Sequence, residues 1–140
     1  MDLLTQQFVE QHLSDDVHVL ALKTAPQGVD ISTALQQIAA RQLLAKKVPT
    51  WAKNSQLHFP PHLSLEQCSS EETALYKGSL VSGNKLVDLT GGMGVDCYFL
   101  SQQFQSTAYV EKLPQLVALA NHNFAILNPK VEVYNEIGRA

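Results

Sequence analysis

The chain has 140 residues and a mass of 15.4 kDa, is 45% hydrophobic and 16% charged, and carries a formal charge of −3 at pH 7. That length holds one compact domain, or a small helical part joined to an α/β part, and its aliphatic content excludes a disordered chain. No apolar run approaches the roughly 18 residues that cross a bilayer, and no Gly-X-Y period marks a collagen.

The N-terminal MDLLTQQFVEQHLSDD is amphipathic and acidic, without the basic region and apolar run of a secretory signal. The two cysteines, Cys68 and Cys97, have no CxxC spacing and no cluster with histidine. They read as free thiols of a reducing compartment, so the expectation is a cytoplasmic protein with no metal site. Charge is uneven. Residues 31–65 hold Arg41, Lys46, Lys47 and Lys53 and no acid, a local balance of +4 against −7 elsewhere. Such a segment is either a solvated helix face or a local field for an anionic partner such as RNA.

In chain order, residues 2–13 place Leu3, Leu4, Phe8, Val9 and Leu13 near helical spacing. Ser14 reads as the N-cap of a second helix carrying Val17, Val19, Leu20 and Leu22, ended by Pro26-Gln27-Gly28. A third helix spans Ile31–Lys47, capped by Asp30 or Ser32, with Lys46 and Lys47 in its last turn. Residues 48–66 hold three prolines and no sustained period, and read as an ordered connector. Ser69 or Ser70 caps a fourth helix that Gly83-Asn84 closes.

The pattern then changes. Lys85–Leu89 reads as a short buried strand, Val95–Phe104 as a helix and Thr107–Val110 as a strand. Pro114–Leu127 is a helix with proline in its first turn, and Val131–Tyr134 is a third strand. Strand–helix–strand–helix–strand with short loops is a right-handed parallel βαβαβ unit. The expected fold is therefore α/β: a helical N-terminal subdomain with connector over 1–66, then a partial Rossmann-like sheet over 67–140.

The chemistry concentrates in KLVDLTGGMGVDCYFL. The strand ends in Asp88, the turn Leu89-Thr90-Gly91-Gly92-Met93-Gly94 follows, and a helix begins. Glycines at such a turn let backbone approach a ligand, although they can also make nothing more than a tight turn. The dinucleotide fingerprint fits imperfectly because Cys97 stands where a small third residue is needed, and no Gly-Lys-Ser/Thr of a phosphate loop is present. An acid at the strand end suits a ligand carrying an ammonium group and repels a pyrophosphate. The second strand ends in Glu111, where a carboxylate can accept both hydroxyls of a ribose, or can be a solvated loop residue.

These residues resemble the class I S-adenosylmethionine (SAM)-dependent methyltransferases. DLTGGMG is similar to that family's D-x-G-x-G-x-G, with Thr90 at the usual first glycine and an extra glycine at Gly91. Glu111 matches the family acid, and ALANHNFAIL looks like its A-x-x-N helix. Upstream, LSLEQCSSEETALYK is similar to a SAM-contacting segment of RNA and adenine methyltransferases, and RQ-x-x-x-K-K-x-P-x-W extends the resemblance to bacterial members with a THUMP-like domain. The resemblance implies that Asp88, Thr90, Gly91, Gly92, Gly94, Glu111 and Lys112 bind the cofactor, with Gln67, Ser69 and Ser70 facing its methionine part. Serine caps of a helix are the plainer account of the last two.

No catalytic residue is identified. The family's D/N-P-P-aromatic or D-P-A motif is missing, and Phe59-Pro60-Pro61-His62 lacks the acid or amide and reads as a rigid loop. The expectation is a truncated N-terminal cofactor-binding part of a SAM-dependent methyltransferase acting on RNA, inactive alone and able to pair with a second copy through an exposed sheet edge. The alternative is a non-catalytic nucleotide- or RNA-binding module. Trp51 either stacks on a base or pins the connector. His58 and His62 are four apart, but no carboxylate lies near them and prolines argue against a ligating helix. Cys97 is either an activated thiol at a helix start or a packing thiol.

Overall fold

A computed structural model describes residues 1–60, 62–89 and 91–136, with the backbone alone at His62, Leu63 and Ser64. The candidate Thr90 and the second proline of the Phe59-Pro60-Pro61-His62 segment lie outside the described residues. The chain divides into two compact units, Met1–Ser55 and Gln56–Ala140, so residues 56–66 belong with the second.

The first unit is helical. It contains α1 (Leu3–Gln11), α2 (Val17–Ala21), α3 (Ile31–Lys47) and α4 (Pro49–Ala52). Carboxylates set three of its helix starts. Asp2 accepts from the Thr5 N–H at 2.8 Å, Asp16 from His18 N–H at 2.8 Å and Asp30 from Thr33 N–H at 3.2 Å. The cap of α2 is therefore Asp16 and not Ser14, because Ser14 and Asp15 lie in the turn before it. Phe8, Val9, Leu20, Ala34 and Ile38 form the core. The connector holds the short α4, with proline at its start and Trp51 fully buried. Trp51 therefore pins the connector and offers no face to a base. Arg41, 7% exposed, draws residues 52–55 onto α3 by donating to the carbonyls of Ala52, Asn54 and Ser55 at 3.0–3.3 Å.

The second unit holds α5 (His62–Gln67), α6 (Glu71–Ser79), β1 (Gly83–Asp88), α7 (Val95–Ser101), β2 (Phe104–Glu111), α8 (Pro114–Leu127) and β3 (Val131–Asn135). The strands form a parallel sheet in the order β1-β2-β3, with Asp88 level with Tyr109 and Glu111 level with Asn135. The α/β expectation is met, and this is a partial Rossmann-like sheet. Cys97, Tyr109, Ala120, Phe124 and Val131 make its core.

Two boundaries and the burial of one strand differ from expectation. Gly83 opens β1 instead of closing α6, because the Phe104 ring covers it: a Cβ there would lie 3.1 Å from the ring. For the same reason Phe104 starts β2 and does not end α7. β1 is largely exposed, with Val87 46% accessible, because among the described residues it pairs with β2 alone. Residues 56–60 are fixed to α8, where Asn123 exchanges two hydrogen bonds with the His58 backbone and His122 bonds the Gln56 carbonyl at 2.7 Å. Phe59 and Pro60 are buried, as suits a rigid loop.

Candidate functional site

The carboxyl ends of β1 and β2 open onto a cavity of about 490 Å³. In open α/β sheets this is where ligands bind, because the strand-to-helix turns leave backbone groups and helix N-termini facing outward. Asp88 ends β1 and Glu111 ends β2, and both line the cavity. Between them lies the glycine turn, with Gly92 at φ 55° and Gly94 at φ 92°. These are left-handed values that a residue with a Cβ adopts only at a cost. They turn the chain sharply enough for α7 to start within the space of one residue after Met93.

Glu111 is 8% exposed and does not stand free in the cavity. Its Oε1 accepts from the Gly92 N–H at 3.0 Å and its Oε2 from the Leu113 N–H at 2.8 Å. A carboxylate offers about four lone-pair directions, so each oxygen keeps capacity for one more donor. The residue thus braces the turn and the start of α8 while still presenting acceptors. Below it, the fully buried Tyr109 donates its hydroxyl to the Gly92 carbonyl and fills the space where a Gly91 Cβ would stand. The lack of a side chain at Gly91 is required by that ring, a packing demand the sequence does not announce.

The upstream residues divide. Gln67 and Ser69 line the cavity, and the Ser69 hydroxyl donates to Asp96 Oδ2 at 2.8 Å. Lys77 completes this group, 3.3 Å from the same carboxylate oxygen. Ser70 does not line the cavity. Its hydroxyl accepts from the Thr73 N–H at 3.1 Å, which makes it the cap of α6. Gly91, Gly92, Gly94 and Lys112 line the cavity as well.

Sequence reasoning missed the apolar part of the lining, Met93, Val95, Leu113 and Leu116, together with Cys68 and Asp96. A signal was present for the leucines. Pro114 fixes the first turn of α8, so residues on either side of it must sit beside the end of β2. The cavity therefore joins an apolar side to three carboxylates and one lysine, a composition for a ligand with an apolar body and a cationic group. Cys97 is not an activated thiol. Burial, reinforced by the Asp88 and Asp96 charges, pushes it up to about 12. No group of histidine, cysteine and carboxylates among the described residues could hold a metal ion, and no described helix is long and apolar enough to cross a membrane.

No protein-family model matches the chain, and no curated protein does. Among solved structures, a protein of Porphyromonas gingivalis W83 described as a "putative methyltransferase" is similar over 96% of this chain, with a TM-score of 0.77 and 28% identity. The match covers 35% of that protein, so the chain spans about a third of its length. The parallel sheet, its crossover helices and the glycine turn between β1 and α7 together make the chain a partial Rossmann-like methyltransferase fold.

Proposed function

We propose that the cavity at the ends of β1 and β2 binds S-adenosylmethionine, and that the chain is the N-terminal, cofactor-binding part of a SAM-dependent methyltransferase. The observation that carries this reading is the convergence of Asp88, the turn Gly91–Gly94 and Glu111 on one cavity with an apolar side. The residues fit the group. Asp88 supplies the anion an ammonium needs, the spare lone pairs of Glu111 suit a ribose diol, and Leu113 and Leu116 suit a flat base. When bound, the cofactor would supply an electrophilic methyl group on a sulfonium. The protein's part is to hold that group still and dry, which is how positioning accelerates a transfer between two bound partners. Asp88 and the neighbouring carboxylates favour the sulfonium charge, and Glu111 fixes the orientation of the sugar.

The test is calorimetry with S-adenosylhomocysteine on wild type, Asp88→Asn and Glu111→Gln, with melting temperatures measured alongside. One-site binding that both variants weaken at least about tenfold, with Asp88→Asn still folded, supports the reading. Folded wild-type protein that takes up no ligand rejects it for this chain.

A second reading concerns the first unit. Arg41, Lys46 and Lys53 line an open groove of about 770 Å³ together with His18, facing Asp15 and Asp16. We propose RNA as the anionic partner of this groove, the substrate side of the same enzyme. Arg41, Lys46 and Lys53 outnumber the two carboxylates of the lining, which supports an anionic partner. Salt-dependent binding of structured RNA that Lys46→Glu with Lys53→Glu abolishes would support it. Binding unchanged by the pair would place the contact elsewhere.

A further inference from the structure

Both peptide groups that flank Gly92 are held by the chain around them. The first, between Gly91 and Gly92, has its N–H on Glu111 Oε1 and its carbonyl oxygen accepting from the Gly94 N–H at 2.9 Å. The second, between Gly92 and Met93, has its carbonyl on the Tyr109 hydroxyl. Tyr109 and Glu111 are two apart on β2 and so share a face of the sheet. The peptide is trans, so pinning the Gly92 oxygen toward β2 aims the Met93 N–H the opposite way. Met93 lines the cavity.

The ring does a second job. It underlies Gly91 and meets the Phe124 ring edge-on, with centroids 5.6 Å apart and planes at 63°. Phe124 in turn lies 3.1 Å from where a Gly94 Cβ would be. The turn is thus bedded on two buried aromatic rings and tied by one hydroxyl. Burial first, then the charges of Glu111 and Asp88, holds the Tyr109 hydroxyl above its ordinary range, so it remains a donor.

We propose that Tyr109 is the positioning residue of the cavity: through the Gly92 carbonyl it fixes the plane of the Gly92–Met93 peptide and hence the shape of the turn that meets the ligand. Its geometry is independent of the ligand's identity, and only its effect on affinity rests on the SAM reading above.

Tyr109→Phe separates the hydroxyl from the ring. Amide hydrogen exchange at Gly91, Gly92 and Gly94 should quicken about tenfold or more, while α3 in the first unit is unchanged. Affinity for S-adenosylhomocysteine should fall about tenfold, a readout that a purely structural role would leave unmoved. Unaltered exchange in the turn overturns the proposal, and so does a loosened turn with wild-type affinity. If wild-type protein binds no S-adenosylhomocysteine, the SAM reading fails by itself, and the exchange rates still decide whether Tyr109 fixes the turn. Should Tyr109→Phe not fold, the wild-type hydroxyl proton decides. Slow exchange by NMR marks the bond, and exchange at solvent rates overturns it.

Discussion

Asn123 meets the backbone of His58 twice: its Oδ1 accepts from the His58 N–H at 2.9 Å, and its Nδ2 donates to the His58 carbonyl at 2.8 Å. One side chain, 3% exposed, thus does for residue 58 what a neighbouring strand would do. The His58 and His122 rings stack in parallel beside it, with centroids 3.8 Å apart. Asn123→Leu removes both bonds and leaves the N–H and C=O of the half-buried His58 without these partners. A loss of about 2–4 kcal/mol is expected from urea denaturation. A change under about 0.5 kcal/mol would show that the segment is held by packing alone.

Gly91 is closed to any larger residue. Gly91→Ala drives a methyl into the Tyr109 ring, and overpacking of a filled core costs about 1–3 kcal/mol or more. Tyr109→Leu should recover part of that loss in the double variant, although each single change destabilises. Simple additivity in a double-mutant cycle would contradict the contact.

The Glu111 carboxylate serves two N–H groups, which glutamine cannot do. Glu111→Gln keeps one oxygen and turns an NH₂ toward the other donor, so one charge-assisted bond is lost and two donors confront each other. Denaturation should show a loss of about 2–3 kcal/mol, apart from any effect on ligand binding.

Two buried acids contribute to the alkaline limb of stability. Unfolded Cys97 and Tyr109 titrate near 9.0 and 10.0, and both are raised in the folded protein, Cys97 to about 12. Between pH 9 and 12 the unfolded chain loses a proton that the folded one keeps, so stability is full below about pH 9 and falls as pH rises. Each group adds a slope of up to about 1.4 kcal/mol per pH unit. Cys97→Ala should flatten the curve from pH 9, and Tyr109→Phe only from pH 10. Urea midpoints between pH 8 and 11 check both.

The same burial separates the two thiols. At pH 8 the buried Cys97 thiol, pushed up to about 12, stays protonated, whereas the partly exposed Cys68 donates to the Leu65 carbonyl at 3.0 Å. A thiol reagent should label one equivalent quickly and the second only on unfolding. Two fast equivalents would contradict the burial of Cys97.

The parts of the fold readable in advance were those written locally. Asp30 caps α3 and Ser70 caps α6 through bonds to their own third neighbours, and Pro114 opens α8. Asp88, the glycines and Glu111 were legible as a group because a parallel sheet brings strand ends together wherever the strands fall. The errors arise where the deciding partner is remote in sequence. Nothing near Gly83 says that Phe104 will cover it, and nothing near Gly91 says that Tyr109 will lie beneath it. The proline-rich connector hid α4 and α5 because four- and six-residue helices have too little period to detect. Ser70, by contrast, proved a cap because capping needs only three residues, while facing the cavity depends on the whole sheet.

The clasp between residues 58 and 123 also sets a sequence of events in time. Closing a loop of that length costs about 3–4 kcal/mol in chain entropy before either hydrogen bond returns anything. The contacts of α3 with α1, α2 and α4 span much shorter stretches of chain. Folding should therefore run from the first unit toward the second, with the segment around His58 docking last. Pulsed hydrogen exchange would see the amides of Ala34 and Ile38 protected early and that of His58 late. Until His58 docks, Leu57 and Phe59 remain uncovered, so the interval before docking is when the newly made chain most needs protection from its own kind.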